Sequence, residues 1–159
     1  MNIHIVCVGK IKESFYRDAV NEYSKRLSRY CKLKITEVAD ENTPQNASEV
    51  LEEQIREKEA ERILKAISDH TYVCILAIEG KEYDSVSFAK EIDLLATNGN
   101  SDITFVIGGS LGLSQSVYRR ADKKISFSKM TFPHQLMRVI LLEQIYRGYR
   151  IIHNEPYHK

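Results

Sequence analysis

Ile103-Thr104-Phe105-Val106-Ile107 runs directly into Gly108-Gly109-Ser110-Leu111-Gly112, and this junction decides the fold. A short apolar run ended by clustered glycines is the pattern of a strand buried on both faces. The turn after it can take positive φ or let the backbone approach another group closely. The strand half of the pattern recurs upstream, at residues 3–8 before Gly9 and at residues 72–78, which Glu79-Gly80-Lys81 ends. Residues 33–38 alternate in character ahead of a loop holding Pro44, as expected of a strand at or near a sheet edge. Downstream, a further strand is centred near Ile125.

Helical patterns separate these strands. From Glu13 onward Phe15, Ala19, Tyr23, Leu27 and Tyr30 recur on one face. Asn46 and Glu49 have capping-box spacing ahead of the stripe Val50, Leu51, Ile55, Ile63, Leu64 and Ile67, whose opposite face pairs Glu52 with Arg56 and Glu61 with Lys65. Ser85 can cap a third helix, with Phe88, Ile92 and Leu95 inward and Asn98-Gly99 as its stop. Alternating strands and helices with crossovers this long predict an α/β fold, a mostly parallel sheet flanked by helices, in one domain spanning residues 1–159. The last helix, about residues 135–150, carries Leu136, Met137, Val139, Ile140, Leu141, Leu142, Ile145 and Tyr146 around most of its circumference. It must therefore pack on two sides, against a second copy of the chain about a two-fold axis or as the central helix of a monomer.

Composition sets outer limits. Hydrophobic residues at 43% and charged residues at 28% are ordinary globular values. No apolar run approaches the roughly 20 residues of a membrane span, and the first residues lack a secretory pattern, so a cytoplasmic protein without membrane contact is expected. Of the three cysteines, Cys7 and Cys74 lie in strand-like runs, which suggests neither a disulfide framework nor a zinc site. The net charge of +1 hides an asymmetry: residues 103–159 hold nine Lys/Arg against three acids, a balance of +6, leaving −5 for the rest. A basic half suits a polyanionic partner, and an ordinary solvated surface accounts for it equally.

In open parallel sheets ligands bind beyond the carboxyl ends of the strands, which puts weight on residues 76–79, 108–112 and 127–134. No P-loop is present, and the glycines follow the fourth strand where a dinucleotide fingerprint would follow the first, disfavouring a nicotinamide or P-loop enzyme. His4, His70, His134, His153 and His158 form no metal-ligand spacing. His134 follows Phe132-Pro133 at the mouth of the last helix, where capping and function compete. Tyr157-His158-Lys159 after the rigid Pro156 offers two aromatics and a cation, suited to stacking on a base and holding a phosphate.

Four segments in order, residues 105–112, Ser126-Phe127-Ser128-Lys129-Met130-Thr131-Phe132-Pro133-His134, Glu143-Gln144-Ile145-Tyr146-Arg147 and Pro156-Tyr157-His158-Lys159, resemble the ribosomal RNA large subunit methyltransferase H family, small enzymes of the SPOUT class. The likeness runs the full length, including Ile3-His4-Ile5-Val6-Cys7-Val8-Gly9-Lys10, although its specific motifs are C-terminal. The resemblance implies a homodimer with a C-terminal trefoil knot and S-adenosylmethionine as methyl donor, bound bent within the knot without a metal. The implied donor contacts are Leu76, Gly108, Phe127, Ser128, Lys129, Met130, Thr131 and Phe132. The implied substrate is a pseudouridine of 23S ribosomal RNA, methylated at N3 on the assembled ribosome. An imide proton must leave N3. His134, Tyr157 and His158 are the candidates to take it, with Arg150 and Lys159 as anion stabilisers, and Tyr157 and His158 can equally hold the RNA. The tail of one subunit is expected to help complete the other's site. A non-catalytic ribosome-associated RNA-binding module is the competing reading, and a Rossmann-like enzyme for another nucleotide a weaker one.

Overall fold

Five strands lie in one all-parallel sheet in the computed structural model, which describes residues 1–159. They are β1 (Asn2–Val8), β2 (Lys32–Val38), β3 (Tyr72–Glu82), β4 (Asp102–Ile107) and β5 (Lys123–Ser126), in the order β2-β1-β4-β3-β5. The α/β architecture and the edge position of β2 agree with the sequence. Helices α1 (Ser14–Leu27), α2 (Glu49–Ala66), α3 (Ser85–Thr97), α4 (Gln115–Arg120) and α5 (His134–Ile152) complete the fold. Right-handed crossovers place connections that step in the same direction on the same face. The β1 to β2 and β3 to β4 connections both step toward β2, so α1 and α3 share a face, with α5 packed against both. The other two connections step the opposite way and carry α2 and α4.

The period of two along β1 divides the core. Ile3, Ile5 and Cys7 face Leu141, Leu142 and Ile145 of α5, while Val6 and Val8 join Ala60 and Ile63 of α2. Cys7, Cys31 and Cys74 are buried free thiols that behave as small apolar groups in the first of these layers. No helix is long and apolar enough to cross a membrane.

Several local expectations shift. Helix α2 is capped by Ser48, whose hydroxyl accepts the Leu51 N–H at 3.1 Å, and Asn46 instead occupies a left-handed bend at φ 62°. Helix α3 is capped by Asp84, whose carboxylate accepts the Ser87 N–H at 2.7 Å and leaves Ser85 as the first helical residue. A carboxylate one residue earlier serves the helix dipole better than the hydroxyl does. On α1, Val20 and Leu27 provide the buried side, and Phe15 is 62% exposed. Helix α4 was not anticipated, because six residues with Val117 as the one buried side chain leave no readable period. Around α5 the sheet, α1 and α3 bury Leu141, Leu142, Ile145 and Tyr149, while Leu136, Val139 and Ile140 stay half-buried.

The largest difference lies in β3. The strand does not end at Glu79; it continues to Glu82, with Leu76 and Lys81 both paired to Ile125, so residues 77–80 bulge out of the ladder. Only glycine fits the return from that bulge, since a Cβ on Gly80 would stand 2.6 Å from the Ile125 carbonyl carbon. Gly80→Ala is expected to push β5 away from β3 and cost about 3 kcal/mol. Urea unfolding checks this as a lowered midpoint at unchanged slope.

Candidate active site

Two positional facts create a cavity at the carboxyl end of the sheet. Strand β5 is the outermost strand beyond β3, whereas α5 begins beside the carboxyl ends of β1 and β2. Residues 127–133 must therefore cross over the ends of β3 and β4. The Ser126 hydroxyl donates to the Ser128 carbonyl at 3.0 Å, and the Ser128 hydroxyl accepts the Met130 N–H at 2.9 Å, which sets the first bend of the crossing. Facing it, the glycine loop closes when the Gly112 N–H donates to the Gly109 carbonyl at 3.1 Å, with Gly112 at φ 80°. A Cβ on Gly108 would lie 3.0 Å from Leu113 Cδ2 and 3.1 Å from the Gly112 carbonyl carbon, so the loop folds tightly on itself.

The β3 bulge, the glycine loop and the crossing enclose a cavity of about 750 Å³, in the range of small-molecule sites. Leu76, Gly108, Phe127, Ser128, Met130, Thr131 and Phe132 all line it, together with His134. Of the residues singled out as donor contacts, Lys129 alone stands outside its wall. The wall also includes Ile78 and Glu79, within the strand end at residues 76–79, and Tyr118, which the sequence did not point to. Tyr118 donates to Glu79 Oε1 at 2.6 Å and braces the bulge, its phenol pushed up to about 12 by burial and by Glu79. No sequence signal announced Tyr118, because the short α4 that carries it has no period.

His134 is the first residue of α5, with Pro133 in the N-cap position and no side-chain cap bond, so capping is not its role. Burial, and then the Arg138 guanidinium, hold its imidazole below the ordinary histidine value of 6.5, and Nδ1 is buried without a partner. Its ring packs on the first turn after β1, where a Cβ on Gly9 would meet His134 Cε1 at 3.4 Å. One turn along α5, Arg138 is 1% exposed and donates to Glu37 Oε2 at 2.6 Å and to the Gly9 carbonyl at 3.0 Å. Glu37 Oε2 also accepts the Ile11 N–H at 3.1 Å. Arg138 was counted with the basic groups available to a polyanion; it is instead an internal tie.

The remaining sequence candidates lie toward the other end of α5, Arg150 about 24 Å of helix from His134 and Tyr157 folded back beside Glu143, about 14 Å from it. Tyr157 donates to Glu143 Oε1 at 3.1 Å, and its phenol is pushed up to about 12 by burial and by that carboxylate. Arg150 pairs with Glu155 and donates to the Tyr30 hydroxyl at 3.1 Å and the Pro156 carbonyl at 2.8 Å. His158 Nδ1 lies 3.2 Å from Arg147 Nη1, and Lys159 is exposed. His158 lines a second cavity of about 640 Å³ with Tyr83, Asp84 and Gln144, which shares Phe127 and Phe132 with the first. Arg120, Lys123, Arg138, Arg147 and Arg150 are all paired with carboxylates, so five of the nine C-terminal cations are engaged within the chain.

Comparison with known proteins agrees with this architecture. Residues 1–158 match the family model described as "Predicted SPOUT methyltransferase". A Clostridium beijerinckii protein named ribosomal RNA large subunit methyltransferase H is 61% identical over 159 residues, covering 100% of both chains. The Clostridium perfringens strain SM101 protein named ribosomal RNA large subunit methyltransferase H 1 is 60% identical with the same coverage. A Methanococcus maripaludis protein whose name carries that assignment provisionally is 64% identical over 159 residues, again end to end. A crystal structure of a Neisseria gonorrhoeae protein assigned to the methylase family superposes with a TM-score of 0.52 at 14% identity, covering 91% of this chain and 81% of that one, and so shares the fold. The chain belongs to the SPOUT methyltransferases and, by identity sustained over its whole length, to the ribosomal RNA large subunit methyltransferase H family within them.

Proposed function

We propose that this chain, acting as a homodimer in the cytoplasm, methylates N3 of a pseudouridine in 23S ribosomal RNA on the assembled ribosome. S-adenosylmethionine is the donor, held in the cavity at the carboxyl ends of β3 and β4. The observation that carries this reading is the convergence of Leu76, Gly108, Phe127, Ser128, residues 130–132 and His134 around one space, in a chain whose full-length relatives are named for ribosomal RNA methylation. We also infer that the passage of residues 127–133 over the strand ends is the threaded part of a trefoil knot.

The wall suits such a donor. Leu76, Phe127 and Phe132 offer apolar surface to a purine, and the glycine loop brings main-chain groups within reach without intervening side chains. When bound, the donor supplies an electrophilic methyl on a sulfonium sulfur. No ionised protein group is needed to activate that methyl, so the chain has two tasks: to orient the acceptor ring and to remove its proton.

His134 takes the proton. It stands in the cavity wall, and its lowered pKa keeps it neutral near pH 7, as an acceptor must be. A phenol at about 12 stays protonated there, so Tyr157 holds the RNA. Tyr157, His158 and Lys159 stand outside the wall of their own chain's cavity and complete the partner's, His158 as a base-stacking ring and Lys159 as a cation beside the deprotonated base. Arg150, already satisfied by Glu155, Tyr30 and Pro156, keeps the tail in shape for that reach.

Transfer of labelled methyl to whole ribosomes, followed by mapping of the modified nucleotide, tests the reaction; label absent from 23S RNA contradicts it. Gly108→Trp is expected to abolish saturable donor binding in titration calorimetry while the protein remains dimeric, and unchanged affinity removes the glycine loop from the site. Deleting residues 157–159 should leave donor affinity intact and lower methyl transfer by about 100-fold; normal turnover shows the tail to be dispensable. With saturating substrates the rate should hold down to pH 6.5 and fall only below it, as the depressed His134 becomes protonated. His134→Gln should lose most of the rate together with this acidic limb. A limb that survives in the variant assigns the proton to another group.

A further inference from the structure

Cations are also left free outside the half to which the charge asymmetry pointed. Residues 10–17, Lys-Ile-Lys-Glu-Ser-Phe-Tyr-Arg, form the turn after β1 and the start of α1. Lys10, Lys12 and Arg17 are exposed, and none pairs with a carboxylate. Beside them Phe15 is 62% exposed although it opens the hydrophobic pattern of α1, with its ring centroid 4.4 Å from that of Tyr16. A large apolar ring left in water among unpaired cations is a costly arrangement for a surface with no partner.

This strip is fixed against the active site. The Lys12 N–H donates to Gln135 Oε1 at 2.9 Å, the Ile11 N–H donates to Glu37, and the Arg17 guanidinium holds the Ile11 carbonyl at 3.2 Å. Gln135 follows His134 directly, and the Lys12 ammonium is near enough to disfavour protonation of that imidazole. Across the cavity, Met130 is 74% exposed and Ile78 is exposed as well. The strip and the cavity mouth therefore share one end of the molecule.

We propose that residues 10–17 are the landing surface for the RNA strand that carries the target nucleotide: Lys10 and Lys12 neutralise phosphates flanking it, and Phe15 stacks on a neighbouring base. The proposal rests on the function above and extends it to how the substrate is gripped. Aromatic rings interleaved with unpaired cations match single-stranded RNA, whose backbone supplies the charge and whose unstacked bases supply the flat apolar face. A protein partner would satisfy Phe15 but would need carboxylates opposite all three cations.

The test measures ribosome binding by sedimentation across a salt series, methyl transfer as KM and kcat, donor affinity by calorimetry and dimer mass, for Lys10→Ala, Lys12→Ala, Phe15→Ala and Phe15→Trp. Each lysine variant should flatten the slope of log affinity against log salt by about one. Phe15→Ala should weaken ribosome binding and raise KM about fivefold or more, with kcat, donor affinity and dimer mass unchanged, and Phe15→Trp should restore both. Wild-type KM in Phe15→Ala, or a loss that Phe15→Trp fails to restore, overturns the stacking role. Lysine variants that keep the wild-type salt slope overturn the phosphate role and point to a protein contact. A monomeric Phe15→Ala also overturns the proposal, because it makes Phe15 part of the subunit interface. Should the wild-type chain bind ribosomes without methylating them, the proposed reaction fails while the salt slope still decides the landing surface.

Discussion

The buried guanidinium of Arg138 is the tie on which the functional end of this molecule depends. Donating to Glu37 and to the Gly9 carbonyl, it fixes the first turn of α5 against the carboxyl ends of β2 and β1. The guanidinium is buried while Glu37 keeps access to water, so removing Glu37 would leave a buried cation short of its compensating charge. The consequence is topological as well as energetic. With α5 anchored there and β5 at the far edge of the sheet, residues 127–133 have one course available, across the ends of β3 and β4, and that course roofs the cavity. Glu37 also fixes Ile11, so a single carboxylate sets the positions of His134 and of the turn carrying Lys10 and Lys12.

The length of α5 then divides the chemistry. At its amino end, His134 faces the cavity in a state that favours a neutral imidazole; toward its carboxyl end, Glu143, Arg147 and Arg150 bind the tail residues into a compact cluster of rings and charges. About 14 to 24 Å of helix separates His134 from these three residues, and none of the tail residues lines the cavity of its own chain. The proposed mechanism has that tail serve the cavity of a second copy. The same cluster explains why the C-terminal charge excess overstates the cationic surface. Arginines that looked free in the sequence hold the tail, and the turn after β1 adds unpaired cations at the cavity end of the molecule.

Much of the fold was legible because buried parallel strands read as unbroken apolar runs and glycines mark their ends. The cavity was legible for a related reason: strand ends in parallel sheets face one side, and residues 76, 108 and 127–134 were all strand ends. What escaped the sequence had specific causes. Glu79-Gly80-Lys81-Glu82 has the composition of a turn, yet it continues β3, since Gly80 alone permits the close return to Ile125. Helix α4 is too short for a period, which hid Tyr118 and its hold on Glu79. Arg138 was misassigned to the surface because arginine is rarely buried, and only the structure shows the carboxylate and carbonyl that make burial tolerable. Phe15 fitted a helical stripe by spacing, but α1 turns it outward; of that stripe Leu27 is buried, and Val20, outside it, is buried as well.

The central claim is that the space under the 127–133 crossing is the donor site, and a crystal structure with S-adenosylhomocysteine tests it most directly. The account predicts the nucleoside between the glycine loop and Phe132, bounded by Leu76 and Gly108, with its sulfur open toward His134. Density for the ligand in the neighbouring cavity beside Tyr83 and Asp84, or none at the carboxyl end of the sheet, would contradict it.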